Sequence, residues 1–232
     1  MVVRETPNGF ILIEQHEHAL ISGEFARRWR VQLYPQESTL YAISQHDVSW
    51  RPLDEEVLWN EEKNRPYAFT DYPAEPKVRA YERGIDVLES HDTYAACLCS
   101  MHYETLVRKF GRSEAEARFA ESESRRQERL RSDMSDEEVR NLERNLRFLR
   151  LCDGLSLFVC LNAPGDKDYP PPYPEGFAFD GETFEPVWED ERTLRLDPSP
   201  FSGDFDLSLP YRSVGKNAEF RASGDLDLKV IV

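Results

Sequence analysis

The sequence predicts an α+β protein, a mainly α-helical bundle with a small antiparallel β-sheet formed by the N-terminal hairpin and the C-terminal strands. Three observations predict it. Apolar residues recur at helical spacing through the middle of the 232-residue chain, apolar and polar residues alternate in its last quarter, and a hairpin signal opens it. On this reading one domain comprises a bundle over residues 15–162, a sheet from residues 1–14 and 177–232, and a proline-rich connection over 163–176.

Each element has its own signal. In MVVRETPNGFILIEQ, Asn8-Gly9 between β-rich runs marks a hairpin turn. The first helix carries Ile21, Phe25 and Trp29 on one stripe, and His18 falls on the same stripe. Leu40 and Ile43 begin the stripe of the second helix, which His46 and Asp47 continue. Residues 50–76 hold Pro52, Pro66, Pro73 and Pro76 among Trp50, Trp59, Tyr67, Phe69 and Tyr72, which reads as an Ω-loop packed over the core. Within that loop Trp50 and Arg65 are reserved as pocket residues, since a segment following Asp47 directly is also placed to close over a site as a lid. Asp92 caps a helix from Thr93, which carries His102 on the face of Leu98 and Leu106. Two later helices open with capping boxes, Ser113 with Glu116 and Ser135 with Glu138. The last helix runs from Asp136 to about Asn162, and its stripe of Val139, Leu142, Leu146 and Leu149 steps onto Asp153. Its second half, LCDGLSLFVCLN, is apolar on nearly every side and therefore buried. Pro164, Pro170 to Pro172 and Pro174 then exclude helix. Alternation returns at Thr193–Leu196, Asp206–Leu209 and Leu226–Ile231, with LDPSPF as a turn among these strands.

Composition limits the function. A formal charge of -15, from 44 acidic against 29 basic residues, argues against nucleic-acid or anionic-membrane binding, which demand clustered positive charge. A small-molecule anionic substrate needs a local exception, and Arg51, Arg65, Lys77, Arg79 and Arg83 supply one in and beside the segment after His46-Asp47. A guanidinium grips phosphate through two parallel hydrogen bonds. Cys97, Cys99, Cys152 and Cys160 fall in apolar helices without disulfide or metal spacing, and neither a secretory leader nor a membrane-spanning run is evident, so a cytoplasmic location is expected. Oligomeric state leaves no mark in the sequence.

The chemistry is expected where the apolar stripes are broken. His18, His46, Asp47 and Asp153 all point inward, and burying a carboxylate unpaired costs several kcal/mol, roughly, unless it is neutralised or bound to a metal. Two imidazoles and two carboxylates suit a divalent ion such as Mn, Fe, Mg, Co or Zn. The alternative is a polar network in which the four groups satisfy one another. His102 reads as a core histidine or as a further ligand, His91 as a loop residue before the Asp92 cap, and His16 as a surface residue.

The order of a His, a His-Asp pair and a late Asp on separate helices resembles the HD superfamily of metal-dependent phosphohydrolases. The runs QHEHALISGEFARRW, AISQHDVSW and LRLCDGLSLFVCLN are similar to a bacterial family of unknown function, over most of the chain. The wider resemblance implies an HD-like bundle with His18, His46, Asp47 and Asp153 as metal ligands, Asp47 also serving as proton acceptor, and hydrolysis of a phosphate ester or nucleotide held by Arg51, Arg65 or Trp50. With His91 and His102 included, the order is similar to the two-metal members, which include di-iron oxygenases. A module that binds a ligand or partner without turnover is the remaining alternative.

Overall fold

A computed structural model of the chain describes residues 1–167 and 176–232. Two strands, β1 (Val2–Thr6) and β2 (Gly9–Ile13), lead into helices α1 (Gln15–Arg28) and α2 (Gln36–Gln45). A 3-10 turn (Val48–Trp50), the one-turn helix α3 (Arg51–Asp54) and a short hairpin, β3 (Trp59–Asn60) with β4 (Arg65–Pro66), follow. Four long helices come next: α4 (Ala74–Glu89), α5 (Thr93–Phe110), α6 (Glu114–Ser132) and α7 (Asp136–Leu161). Strands β5 (Phe177–Phe179), β6 (Glu182–Trp188), β7 (Thr193–Asp197), β8 (Phe205–Gly215) and β9 (Phe220–Ile231) complete the chain.

The strands overturn the expected fold class. Rather than a small antiparallel sheet beside a mainly helical bundle, seven strands form one mixed sheet in the order β1-β2-β8-β9-β7-β6-β5, curled into a half-barrel against six long helices. The N-terminal hairpin pairs with β8, and β7 pairs with β9 in parallel. Strands β5 and β6 fall within the 177–232 segment expected to form sheet but carry no individual signal, because Pro186 and the preceding proline run obscure their alternation. Strands β8 and β9 are 11 and 12 residues long. They alternate visibly only at Phe205–Leu209 and Leu226–Ile231, where one face is buried; the first half of β9 is largely exposed and lacks a core face to record, and the second half of β8 is mostly half-buried until Val214. The hairpin turn is also displaced by one residue, with Pro7 and Asn8 in the turn and Gly9 already in β2. The expected proline connection lies partly outside the described residues.

Local signals in the helices are realised. Ser113 and Ser135 each accept the N3 amide while Glu116 and Glu138 return to the cap amides, and Asp92 accepts from Ala95 at the start of α5. Helix α5 lies against α2, α4, α6 and α7, and Ala95, Ala96, Cys97, Cys99 and Ser100 give it the small cross-section that such crowding requires. The 26-residue α7, about 40 Å long at the usual rise, passes between α1, α2 and α5 on one side and β1 and β5 on the other. Aromatic packing binds the two layers: Trp29 meets Phe148, Phe184 and Phe201, and Phe158 stacks on Trp188. The four cysteines are free and buried within this core.

Candidate metal centre

The helices bring His18 of α1, His46 and Asp47 at the end of α2, His102 of α5 and Asp153 of α7 into one cluster. Helix α1 can approach α2 this closely because Gly23 faces Ser44, whose Cβ would stand 2.7 Å from a Cβ at position 23. His46 ends α2 in helical conformation, and at Asp47 the chain leaves the helix for the 3-10 turn. Consecutive residues thereby present an imidazole and a carboxylate to the same point.

The side chains converge on their inner atoms. His18 Nε2 lies 2.9 Å from Asp47 Oδ2 and 3.9 Å from Asp153 Oδ1. His46 Nε2 lies 3.5 Å from Asp153 Oδ1 and 3.7 Å from Asp47 Oδ2, and His102 Nε2 lies 3.8 Å from Asp153 Oδ2. Two overlapping triads, His18/His46/Asp47 and His46/His102/Asp153, each offer three donor atoms within 4.8 Å of one another. His18 and His46 are fully buried, whereas the Asp153 side chain is 15% exposed and forms the group's opening toward solvent.

Surrounding groups orient these atoms. His46 Nδ1 donates to the Ile43 carbonyl at 2.8 Å, since a carbonyl can only accept; Nε2 then faces the cluster, buried and without a hydrogen-bond partner. Ser156 Oγ lies 2.6 Å from His18 Nδ1 and donates to the Asp153 carbonyl, while Ser22 donates to Ser156. Asp47 accepts from the Gln15 side-chain amide and from the Tyr103 hydroxyl. Gln15 is held in turn by its backbone amide donating to Asp54.

Electrostatics follow the geometry. Burial pushes the His46 imidazolium toward losing its proton, but Asp47 and Asp153 outweigh it and hold the pKa up at about 9. Burial would raise the Asp153 carboxyl, yet His46, His102 and His18 hold it well below the usual carboxylate range; Asp47 is lowered likewise by His46 and His18 against its burial. His102 is dominated by burial, which lowers it to about 4 and keeps its ring neutral.

Other sequence candidates lie elsewhere. His91 is exposed in the turn before α5 and joins neither triad, and Arg65 pairs with Asp71 at 2.6 Å. Trp50 is buried edge-on against Tyr72 and Tyr81, so that ring packs the core. Arg51 is exposed at the start of α3, near enough to His16 to lower its pKa together with burial. His16 itself, expected on the surface, is half-buried with an unpartnered Nδ1. Sequence reasoning also passed over Gln15, Tyr103, Ser156 and Arg150, the last exposed on α7 and within electrostatic reach of His102. The i, i+3 spacing of Gln15 to His18, Arg150 to Asp153 and Asp153 to Ser156 was the signal available for three of them.

Among the described residues no helix is long and apolar enough to cross a membrane. No curated protein and no solved structure matches the chain. A family model described as a protein of unknown function (DUF3891) matches residues 1–216, nearly the whole length, with every member of the His/Asp cluster inside the match, and the chain belongs to that family.

Proposed function

We propose that this chain is a metal-dependent hydrolase of a small soluble phosphate ester or nucleotide, its divalent ion, Mn, Fe, Mg, Co or Zn, held by His18, His46, Asp47 and Asp153. The observation that carries the reading is the His46 Nε2 atom, buried without a hydrogen-bond partner and aimed between two carboxylates. Donors about 2.1 Å from one ion stand roughly 3 to 3.5 Å apart, close to the His46–Asp153 separation of 3.5 Å. Nitrogen and oxygen donors in equal number suit a borderline or hard ion. His46 is common to both triads, which favours a single ion, and the absence of His91 from both weakens the di-iron alternative.

A divalent ion there would supply an acidified water and polarise a phosphoryl oxygen. The residues of the chain perform the remaining work. Gln15 and Tyr103 fix the Asp47 carboxylate, and Ser156 fixes the His18 ring. Neutral His102, buried beside Asp153, is a proton acceptor, and Arg150 adds positive charge near it for an anionic substrate. The arrangement of ligands in sequence order is the part of the HD resemblance that bears on this proposal.

Elemental analysis of the purified protein against Asp153→Ala is the test. About one equivalent of metal per chain, lost in the variant together with hydrolysis of 4-nitrophenyl phosphate, bis(4-nitrophenyl) phosphate or nucleotides, is the expected outcome. A protein that takes up none of the five ions on reconstitution would leave the cluster as a self-satisfied imidazole–carboxylate network and end the proposal.

A further inference from the structure

Beyond Asp47 in the chain, α4 and the segment Val48–Leu53 line an open cavity of about 300 Å³. Its walls are mainly apolar: Val48, Pro52, Leu53, Pro76, Ala80 and Val87. Val87, 53% exposed, borders this opening. Two guanidinium groups, Arg79 and Arg83, stand one helical turn apart at the same rim. Arg79 is paired with Glu75 one turn earlier, at 3.1 Å and with both side chains exposed, a contact worth little in water. Arg83 makes no ion pair among the described residues, on a chain with 44 acidic groups against 29 basic ones.

The floor is built tightly. Gly84 lies against Ser49, and a Cβ at position 84 would stand 2.3 Å from Ser49 Cβ and 2.8 Å from its Cα. The Ser49 hydroxyl is hydrogen-bonded to the Tyr103 hydroxyl, whose proton goes to Asp47, so the floor's polar atom is already satisfied from below. What the cavity offers a ligand is therefore an apolar body contact and a positive rim. Nothing in it solicits a cation, a sugar or a peptide backbone.

We propose that the cavity between α4 and Val48–Leu53 is a binding site for a small organic anion with an apolar body, seated on Leu53, Ala80 and Val87 with its charged group between Arg79 and Arg83. A volume near 300 Å³ lies at the small end of ligand sites and admits one bicyclic aromatic or a short acyl chain. The assignment stands apart from the metal reading, since none of its lining residues belongs to the His/Asp cluster.

Calorimetric titration of chelator-treated protein separates the two requirements, with 1-naphthalenesulfonate as the probe because it cannot be hydrolysed. It should bind at least tenfold more tightly than 1-naphthol, which lacks the charge, and than methanesulfonate, which lacks the apolar body. Arg79→Glu/Arg83→Glu, a pair of exposed positions whose replacement leaves the core intact, should weaken it at least tenfold. Ala80→Phe, which fills the cavity, should abolish it while leaving metal uptake unchanged. Equal affinity for wild type and the double glutamate variant, or no binding of the sulfonate at millimolar concentration, would overturn the assignment. Loss of metal binding alone would not touch it.

Discussion

His46 concentrates the chemistry of the centre in one ring. Its Nδ1 proton is fixed by the Ile43 carbonyl, so the only proton that can be exchanged is on Nε2, the atom that faces the carboxylates. In metal-free protein that proton is held up to about pH 9, and an ion can enter only by displacing it. Apparent metal affinity should therefore rise about tenfold per pH unit toward 9, with release of about one proton per ion. Stability of the chelated protein should move the other way. A folded pKa raised above the ordinary 6.5 contributes stability that is complete below 6.5 and is lost as pH rises through about 9. Urea midpoints measured across that interval should fall in wild type and stay level in His46→Gln; parallel curves would show that His46 is not the titrating group. The inward aim of His18, His46, Asp47 and Asp153 was legible in the sequence because each falls on an apolar stripe. His102 was ambiguous, since a stripe records burial and not which groups lie opposite. Tyr103 and Gln15 were missed for the same reason: their partner, Asp47, is brought to them by tertiary packing.

Among the elements, the contact between α4 and the 3-10 turn is the one that tolerates least. Gly84 against Ser49 leaves no room for a methyl group, and the atoms met include the Ser49 Cα, which cannot rotate away. Gly84→Ala should cost about 1–3 kcal/mol in chemical denaturation through this overpacking, although alanine is the better helix former by about 1 kcal/mol. A neutral or stabilising result would mean that the turn is free to recede from α4. Helix ends were the most legible elements, because Asp92, Ser113 and Ser135 meet their partners within three residues. Strand lengths were the least. The ends of β8 and β9 nearest Phe205 and Val230 pack on Phe25 and the sheet interior, whereas the first half of β9 is solvent-facing and is sustained by backbone pairing with β8, which no side-chain pattern records.

At the scale of the whole molecule, the cluster ties the consecutive helices α1 and α2 to the distant α5 and α7, and the sheet pairs the N-terminal hairpin with strands that follow α7. An ion bound only by the folded form should stabilise all of it together. At a hundredfold excess over Kd the gain is about 2.7 kcal/mol, and Tm should rise about 5–10 °C in a domain of this size. Scanning calorimetry with and without the ion would show it, and Asp153→Ala should show no shift; an equal rise in the variant would assign the stabilisation to another site. The parallel pairing of β7 with β9 and the seven-strand width escaped the sequence because strand order is decided by which edges meet after the helices have packed. The position of β9 also bears on how the sheet is held together. It follows the other described strands in sequence, yet it lies at the middle of the sheet, between β8 and β7. Without it the sheet would part into two halves, β1-β2-β8 and β7-β6-β5, each with an open inner edge. A lesion in β9 therefore opens the sheet at its centre, where a lesion in β1 or β5 would only fray a margin.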